Sequence, residues 1–446
     1  MDDPTGEVTE LLQVLISNAC VNDGTPQSGQ EGRNAYDLRS YLDGSGIDMQ
    51  TFEAVEGRAS LVARIEGTDP NAPTLMLMGH TDVVPANPDG WLRDPFGAEL
   101  VDGMVWGRGA IDMLNLTASM AVAVKRLAED GFRPRGTLVY LAVADEEAMG
   151  ALGAGWLVEH EPDAVRADFV ITESGGFRMP LPSSGGPKLP VMVGEKGAYW
   201  RRIRVKGTPG HGSMPFRTDN ALVKAAEVVR RIHEYRPQTR ILDLWRGFVE
   251  GAELPDELSG PLLDADGVVA LAESLPDPGM ARMIHACTHT TFAPTMMRAG
   301  VKTNVIPDAV DLDLDIRTLP GVTAEDVAAM LREALGDLFD QVEVAATVDD
   351  EASESAVDTP LWDSLARVTE RLVPGARTIP FMLVAATDAR FFRRVGATAY
   401  GYGLFSDRIS FTEFAAMLHG DNERVDQESL RLSEGLWEGT ARDLLG

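Results

Sequence analysis

The chain has 446 residues, of which 44% are hydrophobic and 24% are charged, so its length and composition predict more than one packed domain and argue against disorder. Its 40 Lys and Arg residues face 69 Asp and Glu residues, which gives a formal net charge of −29 at pH 7. This negative charge argues against binding to nucleic acid or to an anionic membrane surface.

The N-terminus and the cysteines favour a cytoplasmic location. The short apolar stretch near the N-terminus follows acidic residues, so it lacks the basic start of a secretory signal. No apolar run reaches the roughly 20 residues that a membrane-spanning helix needs. The chain has only two cysteines, Cys20 and Cys287, too few for a disulfide framework.

The first part of the chain alternates apolar runs typical of strands with segments that carry apolar residues at helical spacing. The strands are predicted at 61–65, 74–78, 138–144 and 168–172, and the helices at 115–128 and 150–160. This alternation indicates an α/β domain with a mixed, mostly parallel sheet flanked by helices. The first part of this domain is predicted to cover residues 1–194.

A second unit is predicted for residues 195–352, because the pattern changes to strands that alternate polar and apolar residues. Its elements read β-α-β-β-α-β, the order of an α+β ferredoxin-like domain. They are strands at 199–206, 291–300, 310–317 and 341–348 and helices at 220–235 and 327–335, the latter started by a capping box of Thr323 and Asp326. Residues 241–289 form an extra, helical insertion of unassigned purpose.

The α/β character returns over residues 353–446, so the second unit is inserted into the first domain. This part is predicted to contain a helix at 360–372, a strand at 380–384 and a final helix at 428–445.

The strand at 74–78 runs into His80 and Asp82, which share a face of an extended chain because they are two residues apart. His80 can bind a metal ion through one ring nitrogen while Asp82 fixes the other, as in many metal sites. A hydrogen-bonded pair that caps the strand is the alternative.

Carboxylates gather at the ends of other predicted elements. Asp112 precedes a helix, the run Asp145-Glu146-Glu147 follows one strand, and Glu173 follows another. Open α/β sheets place their sites at the carboxyl ends of strands. Two like charges about 4 Å apart repel by roughly 4 kcal/mol at an effective dielectric near 20, so clustered acids need cations or protons. Scattered acids on a solvated rim are the alternative.

Nine short motifs, in this order, resemble the M20 metallopeptidase family, which includes aminoacylases, carboxypeptidases and succinyl-diaminopimelate desuccinylase. They are GHTDVVP at 79–85, GRGAIDM at 107–113, DEE at 145–147, TES at 172–174, GTPGHGS at 207–213, NVIP at 304–307, DIR at 315–317, ATDAR at 386–390 and HG at 419–420. The resemblance spans nearly the whole chain. It implies a zinc-exopeptidase type of catalytic domain, with residues 195–352 as a lid and dimerisation domain.

The resemblance implies two metal ions, with zinc as the expected metal and cobalt or manganese as alternatives. Asp112 bridges the two ions. His80 and Glu173 bind one of them, and Glu147 and His419 bind the other.

The resemblance also assigns catalytic roles to Asp82 and Glu146. Asp82 orients His80. Glu146 is the general base that takes a proton from the attacking water and delivers it to the leaving amine. Coordination of that water to metal lowers its pKa from 15.7 to about 7, which supplies a nucleophile without serine or cysteine.

Substrate contacts are implied for four further residues. His211 resembles the histidine that stabilises the oxyanion, often from a partner subunit, although a loop histidine is its plainer interpretation. Arg317 and Asn304 form a clamp for the substrate carboxylate, and Thr387 also binds substrate. Cross-strand pairing with carboxylates is the alternative for Arg317.

We therefore expect a di-zinc hydrolase that cleaves an amide bond of an N-acyl-amino acid or of a small peptide with a free carboxylate. A dipeptidase or aminopeptidase that recognises a free amine is the competing enzyme hypothesis. A catalytically silent binding protein on the same fold is the third. The resemblance also suggests a homodimer through the lid domain.

Overall fold

Two principal β-sheets, of nine and five strands, organise the computed structural model, which describes residues 3–446. The strands are β1 (Asp48–Glu53), β2 (Ala59–Ile65), β3 (Leu75–His80), β4 (Leu100–Val101), β5 (Met104–Trp106), β6 (Leu138–Val143), β7 (Phe169–Thr172), β8 (Lys188–Glu195), β9 (Gly197–Ala198), β10 (Arg201–Lys206), β11 (Gly210–His211), β12 (Thr291–Ala299), β13 (Val305–Ile306), β14 (Ala309–Thr318), β15 (Val342–Ala346), β16 (Ser353–Glu354), β17 (Arg377–Leu383), β18 (Thr398–Gly401) and β19 (Arg424–Asp426).

The helices lie between these strands and at the two ends of the chain. They are α1 (Thr5–Ser17), α2 (Gly32–Leu42), α3 (Leu114–Glu129), α4 (Ala154–His160), α5 (Pro162–Val165), α6 (Ala221–Glu234), α7 (Asp243–Gly251), α8 (Asp256–Leu262), α9 (Ala265–Ser274), α10 (Pro278–Thr288), α11 (Ala324–Leu335), α12 (Pro360–Leu372), α13 (Ala389–Arg394), α14 (Phe411–Met417) and α15 (Gln427–Leu445).

The larger sheet has the order β1-β2-β6-β3-β7-β18-β8-β16, and β17 also pairs with β8. Its four central strands, β6, β3, β7 and β18, run parallel to one another. Alternate residues of β3 enter different cores: Leu75 and Leu77 face one, and Met76 and Met78 face the other. Because both faces of the sheet are covered, β6 is apolar throughout and β3 is apolar from Leu75 to Met78. The predicted α/β fold class is confirmed.

The smaller sheet has the order β12-β14-β10-β15, and all of these strands pair antiparallel. With α6 and α11 it follows the predicted β-α-β-β-α-β sequence. Strand β14 alternates buried and half-buried positions along its whole length. Thr323 and Asp326 form the predicted capping box of α11. Polar and apolar periodicity therefore predicted this unit well.

Residues 241–289 form four helices, α7 to α10. Trp245 and Phe248 of α7 are buried, and Phe248 packs on Phe381 of β17 with ring centroids 4.8 Å apart. The insertion thus packs against the larger sheet, and Trp245 and Phe248 share an apolar core with residues of the smaller unit such as Leu312. The domain limits at 194 and 352 stay a prediction. Near them the chain passes between the two sheets: β8 leads to β9, which pairs with β14 of the smaller sheet, and β15 leads to β16, which pairs with β8 of the larger sheet.

Two predicted elements need correction. The helix predicted at 150–160 begins only at Ala154, because Gly150 has a left-handed backbone with φ 64° and belongs to the preceding turn. The strand predicted at 380–384 runs from Arg377 to Leu383. Among the described residues, every helix is too short or too polar to cross a bilayer. The cytoplasmic location stays a prediction.

Candidate metal centre

Three neighbouring parallel strands deliver three of the predicted ligands to one sheet edge. Strand β3 ends at His80, which pairs in register with Val143, the last residue of β6. The chain continues from β6 to Glu147 and from β7 directly to Glu173. Sequence reasoning placed these residues together because parallel strands share their carboxyl edge.

The two groups of candidate ligands meet at Asp112. Nε2 of His80 lies 3.2 Å from Oδ1 of Asp112 and 3.8 Å from Oε2 of Glu173. Nε2 of His419 lies 3.3 Å from Oδ2 of Asp112 and 3.1 Å from Oε2 of Glu147. Within each group of three residues, the potential ligand atoms lie within 4.8 Å of one another. Each oxygen of Asp112 thus faces one of the groups.

The electrostatics of this cluster suit cations. Burial, reinforced by Asp112, raises the pKa of Glu173 to about 8, and burial also raises the pKa of Glu147. Oε1 of Glu147 is buried without a hydrogen-bond partner among residues 3–446. Contacts with Asp112 and Glu147 raise the pKa of His419 to about 10. The buried acids need positive charge, and nitrogen and carboxylate donors are ligands that zinc accepts.

Asp82 contacts His80 differently from the prediction. Its backbone carbonyl oxygen lies 2.9 Å from Nδ1 of His80, whereas its carboxylate oxygen is 3.6 Å away. The carboxylate accepts hydrogen bonds from the backbone N–H groups of Glu146 and Glu147, at 3.2 and 3.1 Å, and from Asn22 at 2.9 Å. Asp82 therefore holds the turn that carries the predicted base and one predicted ligand.

Glu146 begins a short 3₁₀ turn, Glu146–Ala148, flanked by left-handed residues Asp145 and Met149 with φ of 72° and 75°. Burial, together with the charges of Glu173 and Asp388, raises the pKa of Glu146 well above its usual range. A carboxyl group with a raised pKa is suited to accepting a proton and donating it again.

Two supporting residues were missed by sequence reasoning. Glu423 is fully buried and accepts hydrogen bonds from the loop that carries Asp112. Arg58, also buried, bridges Glu31 and Asp145, with both closest contacts at 2.7 Å. The sequence offered one local signal for Glu423, which was not used: it lies four residues beyond His419. No periodic pattern marks Arg58, because its partners come from distant segments.

Two predicted substrate residues of the smaller unit lie close together in sequence-distant segments. His211 is exposed, and its Nδ1 lies 2.7 Å from Oγ of Ser213. Strand β11 pairs His211 with Val305, and the carbonyl of Asn304 accepts the N–H of Gly212 at 2.8 Å. Two predicted substrate residues, His211 and Asn304, are thus brought side by side on the smaller unit.

Arg317 and Thr387 have protein partners in this structure. Nε of Arg317 donates to Asp315 of the same strand at 2.8 Å, and its guanidinium lies over Trp200 at 5.8 Å from the ring centroid. The alternative interpretation expected Arg317 to pair with a carboxylate across the strands. Its carboxylate partner is instead Asp315, on the same strand. The hydroxyl of Thr387 donates to Glu195 at 3.1 Å, in a buried position.

The sequence matches a known family and several characterised relatives. The sequence profile described as peptidase family M20/M25/M40 matches residues 76–443. The N-fatty-acyl-amino acid synthase/hydrolase of Xenopus tropicalis is 29% identical over 391 residues, which cover 85% of this chain and 74% of that protein. Aminoacylase-1 of Sus scrofa is 26% identical over 389 residues, which cover 86% and 82% of the two chains.

The fold is also similar to solved structures. An M20 family metallo-carboxypeptidase from Sulfolobus solfataricus gives a TM-score of 0.73 at 16% identity, with 100% of this chain and 99% of that chain covered. Human carnosine dipeptidase 1 gives 0.66 at 17% identity, with 98% and 97% covered. With the profile match extending over most of the chain and the ligand cluster at the sheet edge, this protein belongs to peptidase family M20/M25/M40 and is a metallohydrolase.

Proposed function

We propose that this protein hydrolyses the amide bond of N-acyl-amino acids that carry a free carboxylate, using a dinuclear metal centre. The observation that carries the proposal is Asp112, whose two oxygens face His80 and His419 at 3.2 and 3.3 Å. One carboxylate placed between two histidine-containing groups is suited to bridging two cations.

His80, Asp112 and Glu173 would hold one ion, and Glu147, Asp112 and His419 the other. Zinc is the expected metal, with cobalt or manganese as alternatives, since each of these ions accepts nitrogen and carboxylate ligands. When bound, such ions lower the pKa of a coordinated water and polarise a substrate carbonyl.

Glu146 is the proposed general base and acid. Its carboxylate takes the proton of the attacking water, and the same oxygen then delivers that proton to the nitrogen of the departing amino acid. Asp82 positions Glu146 by accepting the N–H at the start of its turn, at 3.2 Å. Proton transfer is thereby assigned to Glu146, and the neighbouring proposed ligand Glu147 takes no part in it.

The lid supplies the groups that face the substrate's charges. We assign His211 to the developing oxyanion, because an imidazole N–H donates where negative charge forms. Arg317 and Asn304 are assigned to the carboxylate of the substrate, and Thr387 is kept as a substrate contact. In this structure Arg317 forms an ion pair with Asp315, so a substrate carboxylate would compete with Asp315 for the guanidinium.

The names of two relatives support the N-acyl-amino acid class, since one is an N-fatty-acyl-amino acid synthase/hydrolase and the other an aminoacylase. A free-amine peptide is the competing substrate. The experiment compares matched pairs, such as N-acetyl-leucine with glycyl-leucine, at equal zinc loading, with Glu146→Gln as the blank. Faster turnover of the acylated member supports the proposal. Hydrolysis of the free dipeptide alone refutes it in favour of a dipeptidase.

We further propose a homodimer through the lid. Strand β12 is a sheet edge, and exposed apolar side chains lie on it and on α6: Val223 of α6 is 69% exposed, and Met296 and Met297 of β12 are 49% and 46% exposed. Burying such residues against a second copy is favourable. Light scattering after size-exclusion chromatography should give the mass of a dimer for the wild type. Val223→Asp should lower that mass to that of a monomer. A monomeric wild type contradicts the proposal.

A further inference from the structure

An apolar cavity opens directly beside the candidate metal centre. It contains about 730 Å³ of empty space, including the part open to solvent, and Asp112 and Glu173 form part of its wall. Every other lining residue except Ser174 is apolar.

Aromatic rings make one wall of this cavity. Phe177 lies 5.1 Å from both Phe411 and Phe414, and Phe414 lies 4.9 Å from Phe405, measured between ring centroids. Phe411 and Phe414 belong to α14, the helix that leads to His419. The wall and the second ligand group are therefore parts of one continuous segment.

The helical insertion contributes another part of the wall. Met283 of α10 lines the cavity, facing the same space as Phe381 and Val384 at the end of β17. Met283 is half-buried, and helix α7 of the same insertion packs Phe248 against Phe381. The insertion, which sequence analysis left without a purpose, thus reaches the edge of the metal centre.

The charges around the cavity decide which end of the substrate enters it. No Lys, Arg or His lines it among the described residues, and its two charged lining groups are the acids Asp112 and Glu173. Beyond the proposed metal ligands, the wall has no cationic side chain among residues 3–446 to pair with a carboxylate, so burying a free carboxylate there is unfavourable. The acyl chain of the substrate has no charge, so it fits this wall.

From this geometry we infer that the cavity receives an extended apolar acyl chain, and that Met283 of the insertion sets the chain length accepted. The inference rests on the proposed amide hydrolysis and deepens it, because the carbonyl at the metal centre would carry its chain into the cavity. Methionine suits such a boundary, since its flexible side chain adapts to apolar shapes. Each buried methylene is expected to raise kcat/KM about fourfold until the cavity is filled.

The test measures kcat/KM for N-acyl-phenylalanines from acetyl to tetradecanoyl with zinc-loaded wild type, Met283→Trp, Met283→Ala and the control Arg282→Trp. Arg282 is exposed on the same helix and outside the cavity. We expect a steep rise with chain length in wild type and Arg282→Trp. Met283→Trp should move the optimum to shorter chains and Met283→Ala to longer ones.

A flat profile for an enzyme that hydrolyses the acetyl substrate overturns the inference and leaves the proposed function intact. Equal effects of Met283→Trp and Arg282→Trp also overturn it. If no acyl-amino acid is cleaved, the proposed function fails. Calorimetry with decanoate and acetate then tests separately whether the cavity binds an apolar chain. Decanoate binding that Met283→Trp weakens at least tenfold supports the apolar site; equal binding of the two acids refutes it.

Discussion

Oε1 of Glu423 accepts a hydrogen bond from the backbone N–H of Asp112 at 3.0 Å. The same carboxylate accepts the N–H groups of Gly109 and Ile111 and a guanidinium N–H of Arg108 at 2.9 Å. Burial raises the pKa of Glu423 to about 7 although Arg108 lowers it. A buried acid thus holds the loop that carries Asp112, the proposed shared ligand.

Replacing Glu423 with Gln should weaken metal binding by about 10- to 100-fold, the usual cost of losing a residue that orients a ligand. The amide nitrogen of Gln cannot accept the backbone N–H groups that one carboxylate oxygen now accepts. Competition with a chelator measures the affinity. Glu273→Gln, at an exposed position of the insertion, is the control. Unchanged affinity in Glu423→Gln would show that the loop is held without this carboxylate.

Glu146→Gln should keep both metal ions and lower kcat by about a hundredfold or more, since it removes proton transfer but no ligand. Metal content by elemental analysis and turnover of an N-acyl-amino acid are measured on the same sample. His419→Ala is the contrasting variant, which should lose metal as well as activity. Full turnover by Glu146→Gln would assign the base to another residue.

His211→Ala should lower kcat by about 100- to 1,000-fold with a smaller change in KM, as expected for a donor to the oxyanion. The imidazole is exposed and bonded to Ser213, so its removal should leave thermal stability unchanged. His233→Ala, at an exposed position on helix α6 of the same unit, is the matched control. Equal activity of the two variants would remove His211 from the mechanism.

Asp388 should make the metal-free protein less stable as pH rises. Burial raises its pKa from 3.8 to about 7, and neither carboxylate oxygen has a hydrogen-bond partner among residues 3–446. Between about pH 4 and 7 the folded state therefore binds more protons than the unfolded state, so the free energy of unfolding falls across this window.

Asp388→Asn removes that loss, and its stability relative to wild type should increase from pH 4 to pH 8 by up to a few kcal/mol. Urea unfolding at several pH values in the presence of a chelator measures the difference. Asp340→Asn, at an exposed site, should show none. A constant difference between Asp388→Asn and wild type across the pH range would mean that Asp388 is ionised throughout.

Local pattern was enough for much of the fold. Helix α12 runs from Pro360 to Leu372, as predicted, because Thr359 caps it and its apolar residues recur at helical spacing. The strands before His80 and Glu173 were found because buried parallel strands are continuously apolar. Boundaries failed where backbone conformation decided them, as at Gly150.

By itself, the sequence determined the strand and helix periodicities, because these are local properties. Its motifs supplied the candidate metal ligands through their resemblance to a known family. Only the tertiary structure decided that each oxygen of Asp112 faces a different histidine, that Glu423 holds its loop and that Met283 lines a cavity beside Asp112. These relationships join segments up to hundreds of residues apart, and packing of the whole chain sets them.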